Sequence, residues 1–184
     1  MSSSPTDGRV RCWPAADPLY VAYHDEEWGR PVRDERGLYE RLCLEGFRAA
    51  FERFDADRVA RFGPRDVERL LGDASIVRHR GKIEAAIANA RATVALRDST
   101  PLPQLFWAHA PLRHTTPRTQ ADWHASTPES RALAKELRRH GFRFVGPTTV
   151  YSTLQACGIV NDHRAECWVR DAVEAERVKL HFAT

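Results

Sequence analysis

The sequence has no long apolar run, no low-complexity stretch and few sulfur-containing residues. A membrane-spanning helix needs about 20 consecutive apolar residues, and no stretch of the chain approaches that length. The first residues, MSSSPTDGR, lack the apolar core of a secretory signal. Four cysteines in 184 residues are too few and too scattered for a disulfide scaffold. These absences predict a cytoplasmic protein that is stabilised by a hydrophobic core.

Alternation of apolar and polar residues, which is typical of a half-buried strand, is nearly absent as well. FRFV at 142–145 is one short piece that could be extended. Residues that start and stop helices recur instead, with capping residues and prolines at the starts and glycines at the ends. The starts are Asp17 with Pro18, Asp34, Asp55, Pro64, Thr127 with Pro128, and Pro147. The pattern predicts an all-α fold, in which the proline-rich stretch 101–127 is a linker packed over the core.

The net charge of +3 is mild and does not by itself indicate nucleic-acid binding. The basic residues are nevertheless grouped in two places. The first group is Arg78, His79, Arg80 and Lys82, and the second is Lys135, Arg138, Arg139, His140 and Arg143. Either group could follow a phosphate backbone. The alternative for each is a solvated helix face, because cations are favoured near helix C-termini.

Two pairs of soft metal ligands stand near opposite ends of the sequence. Cys12 and His24 come early, and His163 and Cys167 come late. Zinc is commonly bound by thiolate and imidazole, and the late pair has the i, i+4 spacing that places two side chains on one helix face. The four residues therefore suggest a zinc site that joins the two ends. The alternative is two buried thiols and two ordinary histidines, because the spacing is not the close Cys-x2-Cys pattern.

Three aromatic residues, Tyr20, Tyr23 and Trp28, follow one another at nearly helical spacing in the first predicted helix. Such a wall of rings is what a nucleobase flipped out of a duplex needs, because stacking offsets part of the cost of unpairing. Aromatic residues at helical spacing are also common in an ordinary hydrophobic core. The spacing alone leaves both alternatives open.

The segment from about 64 to 96 predicts a helix, a tight turn and a second helix. A turn of this kind can direct backbone N–H groups and a helix N-terminus at phosphate. Gly81 would permit close approach, and Arg78, Arg80 and Lys82 would add positive charge. The segment could therefore hold DNA without reading its sequence. A plain pair of antiparallel helices is the common alternative.

Four long blocks in fixed order resemble the DNA-3-methyladenine glycosylase I family of bacteria. The blocks are DPLYVAYHDEEWG, RLCLEGF, DVERLLGDASIVRHRGKIEAAIANARA and HGFRFVGPTTVYSTLQACGIVNDH. The resemblance runs from about Arg11 to Cys167. It implies a single all-α glycosylase domain over residues 1–168 with a helix-hairpin-helix unit at about 64–96. Residues 169–184 match no family pattern and are predicted to form a surface helix or tail.

The resemblance also implies an activity. A member of this family removes 3-methyladenine from double-stranded alkylated DNA in base-excision repair and leaves an abasic site. Because 3-methyladenine is cationic on the sugar and already a good leaving group, the enzyme mainly has to extrude, recognise and hold it. No lysine presents itself as a Schiff-base nucleophile, so we expect a monofunctional enzyme. We also expect a monomer.

Site residues follow from the resemblance position by position. The expected ligands of a structural zinc ion are Cys12, His24, His163 and Cys167. Tyr20, Tyr23 and Trp28 are assigned to the methylated-adenine site, and Arg78, Arg80, Gly81 and Lys82 to DNA binding. Glu45, in LCLEG, becomes the pocket carboxylate that hydrogen-bonds the base and stabilises developing charge. Glu26 and Glu27 compete for that role, or else orient a zinc-bound histidine.

One departure from the family follows Phe47. There the family has a segment with Gly-Leu-Ser-Trp and a basic helix, whereas this chain continues directly with Arg48. About fifteen residues are missing, enough for roughly four helical turns. In the family this segment supplies a tryptophan to the base pocket. The chain is therefore either a shortened member or an incomplete sequence, and a catalytically impaired DNA-binding protein is the alternative function. A helix-turn-helix regulator is less favoured, because it needs a recognition helix that reads bases.

Overall fold

The computed structural model describes residues 8–14, 17–43 and 51–181. Within these ranges the protein is all-helical and has no strand, as predicted. Its α-helices are α1 (Pro18–Ala22), α2 (Glu35–Cys43), α3 (Ala56–Ala60), α4 (Pro64–Gly72), α5 (Arg80–Leu96), α6 (Leu102–Trp107), α7 (Pro128–Arg139), α8 (Pro147–Ala156) and α9 (Arg170–His181). A π-helical turn, Tyr23–Glu27, continues α1. No helix in the described ranges is long and apolar enough to cross a membrane.

Local capping explains where the helices begin. Asp17 caps α1 by accepting a hydrogen bond from the Leu19 N–H, and Pro18 occupies a first-turn position where no N–H is needed. The α7 start is closed by Thr127 and Ser130, each of which accepts from the other's backbone N–H. Because these contacts join residues within one turn, the sequence predicts these starts correctly.

One helix lies inside the stretch that the sequence predicts as a linker. Pro101 precedes α6 and Pro103 lies within its first turn. Neither proline breaks the helix, because first-turn N–H groups have no intrahelical acceptor. The helix buries Leu105 and Phe106. The linker prediction is therefore wrong at residues 102–107.

The structure divides into two compact units. The second unit comprises 33–109 and 126–153. Its central element is the 17-residue α5, which packs against α2, α3 and α4. The largest side chains fully buried in this unit are Tyr39, Phe51, Phe54, Phe106, Leu38, Leu70, Ile83, Leu102, Leu133 and Leu137. The Tyr39 hydroxyl donates to the Ala86 carbonyl at 2.9 Å, which links α2 to α5.

The first unit comprises the described parts of 1–32, 110–125 and 154–184. The backbone packs closely at Gly158, since a Cβ there would lie 2.4 Å from the Gly29 carbonyl oxygen. The α9 helix is anchored to the same place, because Arg177 donates to the carbonyls of Gly158 and Ile159. Val173 of α9 is fully buried. Residues 170–181 therefore form a packed helix, and the assignment of 1–168 as a single domain stays a prediction.

Candidate functional site

The first unit brings the four predicted metal ligands together. Cys12, His24, His163 and Cys167 are all buried, and one ligand atom from each lies within 4.8 Å of the others. Two of the distances are from His163 Nδ1 to a cysteine sulfur, 3.4 Å to Cys12 and 3.4 Å to Cys167. His24 Nε2 lies 3.5 Å from the Cys167 sulfur. We call these four residues the Cys/His cluster.

The backbone that carries the late pair is not helical. Residues 161–169 form a loop, in which the Cys167 N–H donates to the Arg164 carbonyl at 2.9 Å. The prediction that His163 and Cys167 share a helix face is therefore wrong. The prediction that their side chains meet is right, because a turn also brings them together. Asn161 shapes this loop by accepting from the His163 N–H and donating to the Arg170 carbonyl.

Each imidazole in the cluster is oriented by a partner on its far side. His24 Nδ1 lies 2.7 Å from the Asp25 carboxylate, and His163 Nε2 lies 3.0 Å from the Trp28 carbonyl. Both contacts favour a proton on the outer nitrogen and a lone pair directed at the cysteines. The Cys12 backbone N–H donates to His24 Nε2 at 3.2 Å, which is consistent with that assignment. This is how metal-binding histidines are usually held.

Asp25 is the carboxylate that orients His24, a role that was predicted for Glu26 and Glu27 as one of two alternatives. Its oxygens also accept from Arg11, at 2.7 and 3.0 Å, and from the Trp168 indole at 3.1 Å. Burial raises the pKa of Asp25, but these hydrogen bonds outweigh it and hold the pKa below its usual range. Asp25 is therefore a charged acceptor at neutral pH. The feature of the sequence that could have identified Asp25 is its position directly after His24.

The two cluster thiols are unequal. Their mutual hydrogen bond, helped by the two histidines, lowers the pKa of Cys167, while the same bond and burial raise the pKa of Cys12. The pair therefore gives up its first proton easily and its second with difficulty. A cation among the four ligand atoms would remove this asymmetry, because a coordinating thiol is deprotonated outright. The donor set can hold a metal ion.

A group of aromatic rings surrounds the cluster. The Trp13 ring lies at the centre of this aromatic group. Its centroid is 5.7 Å from the ring centroid of Tyr20, 4.7 Å from that of His24 and 4.8 Å from that of Trp28. Tyr23 stacks on Tyr20 at 6.2 Å. We call the five rings the aromatic wall: Trp13, Tyr20, Tyr23, Trp28 and Trp123. Trp13 and Trp123 were not predicted as part of this wall, because they lie in separate segments of the sequence and not at helical spacing from Tyr20, Tyr23 and Trp28.

The rings of the wall differ in exposure. Tyr20 is 52% exposed and Tyr23 is half-buried, whereas Trp28 is buried at 8%. Trp28 is packed between Trp13 and His163, with centroids 4.8 and 4.5 Å away. The Trp13 indole nitrogen is buried and has no hydrogen-bond partner among the residues that the structure describes. Trp13 and Trp123 are half-buried like Tyr23, so the wall is most accessible at Tyr20 and least accessible at Trp28.

The predicted DNA-binding residues lie in the second unit, where α4 and α5 are joined by the loop 73–79. His79 caps α5 by accepting from the Lys82 N–H at 3.2 Å. Arg78 and Arg80 are exposed and Lys82 is half-buried. Arg80 pairs with Glu68 at 2.7 Å, but both side chains are at least half exposed, so the pair contributes little stability. The four predicted residues are therefore grouped at the start of α5.

The predicted carboxylate, Glu45, lies outside the described residues, as does the junction of Phe47 with Arg48. The described chain ends before this segment at Cys43 and resumes after it at Phe51, both of which are buried. Phe51 stacks on Phe54, which in turn packs against Tyr39 of α2. The segment that contains Glu45 is therefore bounded on both sides by core residues of the second unit.

Known structures share this helical arrangement. A crystal structure of 3-methyladenine DNA glycosylase I superimposes with a TM-score of 0.82 at 44% identity, over 86% of this chain and 98% of that one. The Staphylococcus aureus 3-methyladenine DNA glycosylase I, solved to explain 3-methyladenine recognition, superimposes with a TM-score of 0.79 at 27% identity, over 85% and 93%. The class that the fold and site define is the helical DNA glycosylases.

The sequence comparisons agree with the structural ones. The methyladenine glycosylase profile matches residues 13–171. DNA-3-methyladenine glycosylase 1 of Escherichia coli is 44% identical over 178 residues, which span 85% of this chain and 95% of that protein. The chain belongs to the methyladenine glycosylase family. The alignment extends over 178 positions, but the aligned 85% of this 184-residue chain is fewer than 178 residues. Some positions of the Escherichia coli protein therefore have no counterpart in this chain.

Proposed function

We propose that this protein is a DNA-3-methyladenine glycosylase I, which hydrolyses the N-glycosidic bond of 3-methyladenine in alkylated double-stranded DNA and leaves an abasic site. The observation that carries the proposal is the 44% identity to the Escherichia coli enzyme over 95% of that enzyme's length. The accessible Tyr20 and Tyr23 rings support it, because a flipped base needs a π surface on which to stack.

In this proposal the tyrosine pair contacts the base, and Trp28 supports it from behind. Tyr20 and Tyr23 stack with their planes 26° apart, so they present neighbouring aromatic surfaces. Trp13 closes one side of the pair, and its unpaired indole N–H is a donor that a base could satisfy. Cationic 3-methyladenine would gain a favourable electrostatic contact with these ring faces.

Glu45 keeps its proposed role as the carboxylate of the base site. A carboxylate near the cationic base and the developing sugar charge would stabilise the transition state more than the ground state. Water then attacks C1′ of the sugar and gives up a proton to solvent, and the neutral base leaves with the electrons of the broken bond. We expect a monofunctional enzyme, because the proposed base-site residues, Tyr20, Tyr23, Trp28 and Glu45, include no lysine that could act as a Schiff-base nucleophile.

We infer that the metal is zinc and that its role is structural. Tetrahedral zinc with bonds of about 2.3 Å to sulfur and about 2.0–2.1 Å to nitrogen has sulfur-to-nitrogen edges of about 3.5–3.6 Å. The three sulfur-to-nitrogen distances of 3.4, 3.4 and 3.5 Å agree with those edges. A fourth protein ligand leaves no open position for water, which is typical of a structural site. Cys12 and Cys167 would be bound as thiolates.

The helix-loop-helix of α4 and α5 is proposed as the helix-hairpin-helix unit that grips the DNA backbone. The exposed Arg78 and Arg80 would approach phosphate, and the first N–H groups of α5 would bind it without reading sequence. At Gly81 a Cβ would lie 3.1 Å from the His79 ring, so any larger residue would crowd the capping side chain. A single chain contains all proposed elements, so the expected active form is a monomer.

A second candidate is favoured by the positions that the alignment shows to be missing from this chain. If they belong to the segment after Phe47, a tryptophan of the family's base pocket is lost. The protein would then keep the metal site and the hairpin but bind DNA without excision. Salt-sensitive binding without base release would be its signature.

The test is release of free 3-methyladenine from methylated duplex DNA by the purified protein. We expect release by the wild type and at least a tenfold lower rate for Glu45→Gln, since a transition-state carboxylate contributes well over 1 kcal/mol. The matched comparison is Glu26→Gln, which removes the exposed, competing carboxylate two residues after His24, and a loss confined to that variant would transfer the role to Glu26. Folded protein that binds DNA without release would favour the second candidate, and equal loss in both variants would reject the assignment of Glu45.

A further inference from the structure

Phe144 combines an exposed ring with a left-handed backbone, whereas Phe54, the other phenylalanine with a positive φ among the described residues, has a fully buried ring. The Phe144 ring is 56% exposed, and its backbone has a left-handed φ of 57°. Left-handed backbone is unfavourable for residues with a Cβ and is rare for bulky ones. Because the Phe144 ring is not buried, packing of the ring does not explain why the strained backbone is retained. Strained residues of this kind concentrate at binding sites, where the surrounding structure holds them in place.

The structure holds Phe144 from both sides. The Arg143 N–H donates to the Asn89 side-chain oxygen at 2.8 Å, and the Asn89 amide donates back to the Arg143 carbonyl at 3.2 Å. Asn89 itself is buried within α5. Phe142 and Val145 are both buried and anchor the loop on either side of Phe144. The backbone is therefore fixed so that the one aromatic ring between two anchors points out of the core.

The exposed ring lies beside the proposed DNA-binding hairpin. Its centroid is 6.3 Å from that of His79, the cap of α5, and its Cζ would lie 3.5 Å from a Cβ on Gly81. Arg80 and Arg143 line a common groove of about 320 Å³ along α4 and α5, together with Arg91 and one acidic residue, Glu84. The exposed ring is thus next in sequence to Arg143 of this groove, whose charged lining consists of three arginines and one glutamate and whose remaining lining is apolar.

We propose that Phe144 is a DNA-stacking residue, which packs against a nucleobase or deoxyribose when the hairpin holds the adjacent phosphates. Apolar side chains flanked by arginines are what proteins insert at unstacked base steps, and each ring-to-base stack is worth about 1–3 kcal/mol. Its task is to stabilise the distorted duplex from which the damaged base is extruded. The inference rests on the proposed function of the hairpin, and nothing in the comparisons assigns this residue.

The test compares Phe144→Ala with Phe144→Gly. Both remove the ring, but only glycine also relieves the left-handed backbone. We expect both variants to bind a duplex containing one abasic-site analogue at least about fivefold more weakly than wild type, the lower limit for one lost stack. Phe144→Gly should nevertheless melt at least about 2 °C above Phe144→Ala. Weaker binding by the more stable variant could not result from unfolding.

A spectroscopic signal identifies stacking directly. With 2-aminopurine beside the abasic-site analogue, the wild type should change the fluorescence of the probe, Phe144→Trp should retain a change, and the alanine and glycine variants should lose it. Leu112→Ala is the control, because Leu112 is fully exposed and lies outside the second unit. Equal affinity and equal fluorescence for wild type and Phe144→Ala would overturn the inference alone. A wild type that does not bind DNA would overturn the hairpin assignment, and this inference with it.

Discussion

Removal of the metal should lower the stability of the protein far more than any loss of one surface contact. The Cys/His cluster joins ligands that are distant in sequence, since Cys12 and His163 are 151 positions apart. No preformed site can exist in the unfolded chain, so zinc should bind almost entirely to the folded state. Its binding free energy then becomes folding free energy.

The magnitude follows from mass action. At free zinc a thousandfold above the dissociation constant, the folded state gains about 4 kcal/mol. For a chain of this length, 1 kcal/mol changes Tm by about 2–4 °C. Chelation should therefore lower Tm by about 8–16 °C. Folding need not be abolished, because the apo cluster can still pair its thiols with its imidazoles over 3.4–3.5 Å.

The assay is thermal unfolding with and without a chelator, together with zinc content by atomic spectroscopy. Wild type should contain one zinc ion per chain and recover its Tm when zinc is returned. Cys12→Ser should contain none and should not respond to zinc. Cys157→Ala, which removes a buried thiol outside the cluster, should keep the full zinc-dependent increment. A wild type without zinc, whose Tm neither chelator nor added zinc changes, would refute the structural role.

Three further perturbations test the packing and the charges. Gly158→Ala should cost more than about 2 kcal/mol in urea unfolding, because the residue has a φ of +66° and its Cβ would lie 2.4 Å from the Gly29 carbonyl oxygen. Tyr39→Phe should cost about 1 kcal/mol in the same assay, the usual value for one buried hydrogen bond. Asp25→Asn should weaken zinc binding about 10- to 100-fold in a competition titration. Because the pKa of folded Asp25 is below its ordinary 3.8, the stability difference between chelated wild type and Asp25→Asn should be present above about pH 4. It should disappear as the pH falls through the folded value, and a difference that grew in acid would contradict the assigned hydrogen bonds.

Predictions from the sequence succeed where the determinants are local. The starts at Pro18, Pro64 and Pro128 depend on contacts within one helical turn, and the structure places helices there. The α6 helix was missed because its prolines were taken as signs of a linker, whereas position in the first turn makes them harmless. Whether a proline breaks or begins a helix depends on where the helix starts, and composition alone does not give that.

Predictions of the site fail where partners come from distant segments. The four cluster ligands could be named because their side-chain chemistry is unusual and their sequence context resembles a family. Trp13 has no such mark, yet it contacts His24 and Trp28 because the early segment folds across the π-helical turn. Asp25 was passed over for its neighbours, since adjacency in sequence does not show which carboxylate turns toward the imidazole. Phe144 could not be singled out, because a backbone angle leaves no pattern in the sequence.

The shortened region should affect the activity of the protein and leave its folding unaffected. If the missing positions follow Phe47, the shortened segment joins Cys43 to Phe51, both of which are core residues of the second unit. The Phe54 and Tyr39 rings, 5.6 Å apart, connect the two sides of the segment without it. The Cys/His cluster belongs to the first unit and contains none of these residues. Loss of the segment should therefore leave the helical frame, the proposed zinc site and the proposed hairpin intact, so any loss of base release in a zinc-loaded protein would report on the missing tryptophan or basic helix rather than on unfolding.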